Sequence, residues 1–380
     1  MRVATRHKDI SALKDPHPPL AAPSPSQETK KICLALQGGG AHGAFTWGVL
    51  DRLLEETDIE IEGISGTSAG AINAALLSTG LARGSREEAR ALLDGFWTAL
   101  SKLSLTSHYQ MPQVLPRTPL TSALSPLIGL WLGYFTRMLS PYDFNPSNYN
   151  PLHDLFQKYV DFDLLKSTNK IRIFVSATDC LTNRIKVFDN TDLCEEALSA
   201  STCLPMFNQA VKWGDSYLWD GGYMGNPILE PLIFNCLASD ILIVQVSPIE
   251  RKIVPKKSHE IQHRINEVTF NSALMREIRT ILSIQNLFQE SSSALFNPYA
   301  DVRLHTVHDE AYMSRLSGRT QFDVGLSFLL LLRERGRMAA SNWLKENKTS
   351  LGVTTSMDLS SWQFETPSTH CLAWHQGRSE

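Results

Sequence analysis

A chain of 380 residues with 36 basic against 39 acidic side chains and 43% apolar residues has the balance of a folded globular protein with a sizeable core. A formal charge of −3 supplies no basic footprint of the kind nucleic acid demands, and 22 glycines and 19 prolines exclude collagen-like repeats. The six cysteines (Cys33, Cys180, Cys194, Cys203, Cys236 and Cys371) are scattered without a C-x-x-C pair, so neither a disulfide framework nor a zinc site is implied.

Residues 1–31 are rich in Pro and Ser and read as a flexible tail. Charges run through them and no apolar core segment appears, so no cleavable signal is expected. The expected location is cytoplasmic or peripheral to a membrane, with export by another route left open. From Ile32 the pattern changes. Ile32–Leu36 predicts a buried strand, Ala44–Glu56 a helix, Ile59–Ile64 a second strand and Ala69–Ser78 a second helix, the alternation of a βαβ unit on a parallel sheet. Ser85–Leu103 predicts a helix opened by a Ser85/Glu88 capping box.

Residues 104–165 form an apolar, cap-like insertion, with no charge between Arg117 and Arg137. The stretch Thr118–Thr136 is long enough to span a bilayer, but Pro119, Pro126, Gly129 and Gly133 interrupt it. The expectation is a cap that meets lipid, with a buried hairpin and a true span as alternatives. Further on, Ile171–Ala177 and Arg184–Phe188 predict strands, Asp192–Thr202 a helix and Ile241–Val246 a buried strand. The C-terminal part, 255–344, is helical: Ser258–Phe288 carries Ile261, Ile265, Val268, Met275, Ile278 and Leu282 at helical spacing, and Phe322–Leu344 follows. Residues 345–380 read as loose.

Two glycine-rich turns carry the chemistry. Gly38-Gly39-Gly40-Ala41-His42-Gly43 follows a strand and opens a helix, so its backbone can approach a ligand and offer several N–H groups to an anion. The same spacing occurs in dinucleotide sites, but those need a carboxylate at the end of the next strand, where Ser65-Gly66 stands here, with Glu60 and Glu62 inside the strand. Gly66-Thr67-Ser68-Ala69-Gly70 is a G-x-S-x-G turn between strand and helix, the setting that exposes a nucleophilic Oγ. At the carboxyl edge of a parallel sheet the two turns would face each other, a serine beside oxyanion donors. A base is still needed. Asp220 in Asp220-Gly221-Gly222 is the better candidate, and the late histidines (His259, His263, His305, His308, His370, His375) have no local signature.

In this order the three blocks resemble those of patatin-like phospholipases. Ala200–Phe207, Ala177-Thr178-Asp179 and Arg264–Asn271 are similar to bacterial members, and the likeness runs from about Ile32 to Leu344. His42 stands where many members carry Arg or Lys, and Gly222 where Ala is frequent. The resemblance implies a three-layer α/β/α sandwich with a mainly parallel central sheet, and no metal or cofactor. It makes Ser68 the nucleophile, Asp220 the general base and the Gly38–Gly43 amides the oxyanion hole. The implied activity is hydrolysis of glycerolipid or phospholipid esters, with peripheral membrane contact, no nucleic-acid partner and the oligomeric state left open. A dinucleotide-dependent oxidoreductase and a catalytically idle lipid-binding relative are the alternatives. A dyad asks for an aspartate whose pKa burial has raised.

Overall fold

The computed structural model describes residues 29–106, 140–290 and 297–359. The Thr118–Thr136 stretch, His370, His375 and Cys371 lie outside them. Eight strands are found among the described residues: β1 Lys30–Leu36, β2 Ile59–Gly66, β3 Arg172–Asp179, β4 Arg184–Phe188, β5 Val211–Trp213, β6 Ser216–Asp220, β7 Asp240–Val244 and β8 Arg303–Val307. They make one sheet in the order β5-β6-β3-β2-β1-β7-β8, with β4 also paired to β3. The pairs β8–β7–β1–β2–β3 are parallel, while β4, β6 and β5 add antiparallel pairs at one end.

Helices cover both faces: α1 Gly43–Leu53, α2 Ala69–Arg83, α3 Arg86–Thr106, α4 Glu195–Ser201, α5 Glu230–Asn235, α6 Ser258–Glu290 and α7 Leu326–Asn347. Strand side chains alternate between the two layers. In β1, Ile32, Leu34 and Leu36 pack with α1, α2, α3 and α7, whereas Cys33 and Ala35 pack with α5 and α6. This is the expected α/β/α sandwich.

Local chemistry explains the differences from expectation. The β5–β6 hairpin was not foreseen; its turn residue Gly214 has φ +59, and Gly214-Asp215 between Trp213 and Ser216 is the signal that marks it. The strand β8 is disguised by Arg303 and His305, both of which bond to the Asp240 carboxylate (2.9 Å each). Only half of the capping box forms: Ser85 Oγ accepts Glu88 N–H at 2.9 Å, while the Glu88 carboxylate meets Arg83 instead. The long helix is present, but in its first half Ile261, Ile265 and Val268 are exposed while Glu267 and Asn271 are buried. The ordered fold also reaches past the expected 32–344 at both ends. β1 begins at Lys30, Lys348 pairs with Asp58 (2.7 Å), and Ser356 and Met357 donate to Leu304 O (3.2 and 3.1 Å). Among the described residues, no helix is long and apolar enough to cross a membrane.

Helices α1 and α7 cross at two glycines. A Cβ on Gly48 would lie 1.9 Å from Arg333 O, and one on Gly336 would lie 2.0 Å from Phe45 O. Beside the crossing, buried Asp51 accepts from Arg90 (2.6 Å), Arg333 (3.0 Å) and Arg337. Burial pushes the Asp51 carboxyl up, but hydrogen bonding to Arg90 and the three guanidinium charges outweigh it and hold it below its ordinary value. Gly336→Val is expected to destabilise the fold by about 1–3 kcal/mol through overpacking, read as a lower urea midpoint. An unchanged midpoint would show that the helices can part without cost.

Candidate active site

The catalytic candidates meet on one edge of β3. Along that edge β2 pairs up to Gly66↔Val175, and β6, running the other way, ends at Asp220↔Ala177. The turn after β2 and the turn after β6 therefore confront each other. Thr67 Oγ1 closes the junction, bonding Ser176 Oγ at 2.7 Å and Gly225 O at 2.8 Å.

Ser68 sits at the tip of the first turn with φ 54 and ψ −121, a conformation costly for a residue with a side chain. Its N–H donates to Ser201 Oγ at the end of α4 (2.9 Å), and its carbonyl accepts Ile72 N–H in the first turn of α2 (3.1 Å). Gly66, Gly70 and Gly43 permit close approach: a Cβ on Gly70 would lie 2.1 Å from Leu36 O, and one on Gly43 would lie 2.6 Å from Ala69 Cβ. The backbone is thus forced past β1, and Ser68 is left half-buried at the positive end of α2.

Asp220 is fully buried. Its N–H donates to Cys203 O, its carbonyl accepts from Thr178 Oγ1, and its Oδ1 accepts Gly222 N–H, each at 2.8 Å. Burial pushes its pKa up to about 7, tempered by the Gly222 amide and by hydrogen bonding from the Ser68 hydroxyl. Yet Oδ2 has no partner at full hydrogen-bond geometry among the described residues. Hydroxyl and carboxylate are neighbours that have not locked together, as is common before substrate binds. Gly221 and Gly222 fit closely, against Ser176 O and the Phe270 ring.

The glycine loop abuts Ser68: a Cβ on Gly38 would lie 2.7 Å from Ser68 Cβ. Three of its six N–H groups are already used. Gly38 donates to Asn226 Oδ1 (2.6 Å), His42 to Gly39 O (3.2 Å) and Gly43 to Gly40 O. Among the described residues the N–H groups of Gly39, Gly40 and Ala41 have no acceptor. Gly40 has φ +59, and the Gln321 carbonyl lies 2.4 Å from where its Cβ would be. His42 is buried, bonds Thr320 Oγ1 at 2.8 Å, and has its pKa lowered to about 4 by burial and the nearby His263. The loop is therefore uncharged at neutral pH.

Sequence reasoning missed the side chains that hold this loop. Gln37 Oε1 accepts Val246 and Ser247 N–H (2.9 Å each), and its Nε2 donates to Asn226 O (3.2 Å) and Asn271 Oδ1 (3.1 Å). Polar Gln37 before the glycine run and Asn226 after the aspartate turn were the available signals. Of the histidines, His305 is held between Asp240 (2.9 Å) and Ser356 (2.8 Å), on the sheet's far side, and His263 faces Glu267. Glu62 is bound to the N–H groups of Leu237 and Ala238 (2.8 Å each), so it offers no ribose ligand at the loop. Among the described residues no group of His, Cys, Asp or Glu is disposed to hold a metal ion.

The family model described as Patatin-like phospholipase matches residues 34–233, just over half of the 380. The chain belongs to that family. Among solved structures it is similar to VipD from Legionella pneumophila, at TM-score 0.41 and 13% identity over 84% of this chain and 67% of that one. It is also similar to ExoU in its complex with SpcU from the type III secretion system of Pseudomonas aeruginosa, at TM-score 0.38 and 18% identity over 84% of this chain and 52% of that one. The patatin-like chain thus spans about half of the ExoU chain. No curated protein matches it.

The buried carboxylate has a thermodynamic signature. A folded-state value near 7, above the unfolded value of about 3.9, means the native state holds the proton longer, so stability is fully present below pH 4 and is lost as pH rises through 7. Asp220→Asn should therefore raise the melting temperature at pH 8, with the gain shrinking steadily as pH falls to 4. A gain independent of pH would show that Asp220 is not the group responsible.

Proposed function

We propose that this protein is a serine-dependent lipid acyl hydrolase of the phospholipase A or lysophospholipase type, working through a Ser68–Asp220 dyad. The observation that carries this is the fully buried Asp220 carboxylate, whose Oδ2 has no partner at full hydrogen-bond geometry among the described residues, confronting a Ser68 held at positive φ across one edge of β3. Asp220 takes the Ser68 proton as Oγ attacks an ester carbonyl of a glycerolipid. The oxyanion that forms is met by the unused N–H groups of Gly39, Gly40 and Ala41 at the α1 end of the loop. Asp220 returns its proton to the departing alkoxide, leaving an acyl-enzyme and a lyso-lipid or alcohol. Water, deprotonated by the same carboxylate, then releases the fatty acid. A base near pKa 7 is matched to this task, since it is both half-available and strong enough at neutral pH. The reading uses no metal and no cofactor, and it leaves the histidines in structural roles. Both dyad positions being filled disfavours an idle relative.

On a soluble chromogenic ester, Ser68→Ala and Asp220→Asn should each lower kcat/KM by roughly 10³-fold or more, and the double variant by little more than either. Near-native turnover by Asp220→Asn would exclude the dyad. Wild-type kcat/KM should climb as pH rises through about 7 and then level, the limb of a single base that must be deprotonated. A limb near pH 4 would place the base elsewhere. Gly40→Val should cost about a hundredfold or more in a protein that still folds, because a side chain at φ +59 would meet the Gln321 carbonyl and displace the oxyanion donors.

A further inference from the structure

Exposed large apolar side chains gather where two catalytic supports meet. One support is the end of α4 and the segment that follows it. Its Ser201 Oγ holds Ser68 N–H (2.9 Å), its Cys203 carbonyl holds Asp220 N–H (2.8 Å), and it ends in Met206 and Phe207. The other is the single turn Gly318–Phe322. Its Thr320 bonds His42 (2.8 Å), its Gln321 carbonyl lies over Gly40, and it ends in Phe322. The Phe207 and Phe322 rings touch, with centroids 5.0 Å apart. The contact therefore joins the segment that fixes the nucleophile and base to the segment that fixes the oxyanion loop. It has not become core: Met206 is 59% exposed, Phe207 39% and Phe322 55%. Exposed apolar clusters of this kind mark a surface that meets an apolar partner.

The charge beside the pair points to the partner, since exposed Arg315 and Arg319 outnumber Asp323, the acid next to Phe322. Arg315 and Arg319 are exposed on either side of Gly318 and form no ion pair among the described residues. Arg251 holds the base of the turn through the carbonyls of Ser314 and Leu316. Aromatic rings flanked by free guanidinium groups fit a phospholipid, with acyl chain against ring and phosphate against arginine.

We infer that Phe207 and Phe322, with Met206 beside them, form an apolar gate between the segment that holds Ser68 and the glycine loop, and that it takes the acyl chain of an anionic glycerophospholipid from the bilayer. This rests on the hydrolase reading above and names where its substrate enters. The rings part to admit the chain between the nucleophile support and the oxyanion loop, and they set the preference for lipid in a bilayer over a dissolved short ester. They are specificity-determining residues and take no part in bond making.

The test compares wild type with Phe207→Ser/Phe322→Ser, Phe207→Leu/Phe322→Leu and Leu237→Ser. Leu237 is 91% exposed at the opposite, amino-terminal edge of the sheet and serves as the control. Each is assayed on phosphatidylglycerol vesicles and on a soluble p-nitrophenyl butyrate. The vesicle-to-soluble ratio of kcat/KM should fall tenfold or more in the serine pair and recover in the leucine pair, with Leu237→Ser unchanged. An unchanged ratio, or equal losses on both substrates, would overturn the gate. So would a change in oligomeric state in the serine pair, which would make the patch a contact between copies. Cosedimentation with the same vesicles in a Ser68→Ala background separates the two readings. If no variant hydrolyses either ester, the hydrolase reading fails. Binding that survives the serine pair sinks the gate on its own.

Discussion

One strand edge organises this molecule. β3 is offset from its parallel partner β2 and runs on past its end, so β2 occupies the first part of its edge and the antiparallel β6 the rest. Strands that run head to head along one edge must turn away from each other where they meet. Both turns here are built from glycines and small polar residues, with Ser68 on one side and Asp220 on the other. Residues 152 positions apart by subtraction (220 − 68) are brought together by hydrogen-bond register, with no loop having to fold over them. A shift of either strand by one residue would turn the side chains to the other face. Ser176, on the shared strand, locks the register by bonding Thr67 and backing Gly221.

That arrangement costs stability in a definable place. A carboxylate with no solvent exposure and one oxygen that lacks a full hydrogen bond among the described residues is unfavourable in its charged form, and Ser68 is held in a strained backbone conformation. Both features persist because their surroundings over-determine them. Asp220 has its backbone fixed at both ends by Cys203 and Thr178, and Ser68 has its N–H fixed by Ser201. The polar network of Gln37, Asn226 and Asn271 does the same for the glycine loop, and it explains why the first half of α6 turns a polar side inward. The core under that half is a scaffold for backbone groups, and a purely apolar face would remove one of the two acceptors of Gln37 Nε2.

This is also why the sequence was legible in some places and opaque in others. The βαβ start was readable because Ile32–Leu36 and Ile59–Ile64 are apolar strands, and the two glycine turns because small residues have few other uses there. The sandwich followed from that alternation. The hairpin of β5 and β6 was hidden by lysine, tryptophan and tyrosine on a half-exposed edge, and β8 by an arginine and a histidine that both bond to Asp240, a partner 65 positions away from His305. Periodicity predicted the long helix, but the apolar residues at helical spacing in its first half, Ile261, Ile265 and Val268, are exposed, while Glu267 is buried and satisfied by Arg264 and by Arg251, which only the tertiary fold brings to it. For β8 and the long helix, pairing across the chain, which no local window contains, decided the miss, whereas the β5–β6 hairpin carried a local turn signal in Gly214-Asp215.

The glycine loop shows how the same logic bears on chemistry. A cationic residue at position 42 would favour an oxyanion by direct charge, and the sequence left open whether His42 supplied one. Its burial, its bond to Thr320 and its lowered pKa make it a neutral strut between the loop and the turn ending at Phe322. In the proposed mechanism, stabilisation of the oxyanion then falls to oriented amides alone. Their worth depends on being held still before the charge develops. Asn226 fixes the loop's start, Gln321 bears on its tip and His42 fixes its end, so three remote segments set its position. Two of those three contacts come from the turn that carries Phe322, so the segment that shapes the glycine loop is also the one that presents an aromatic ring to the outside. Any force that moves that ring is felt at the loop.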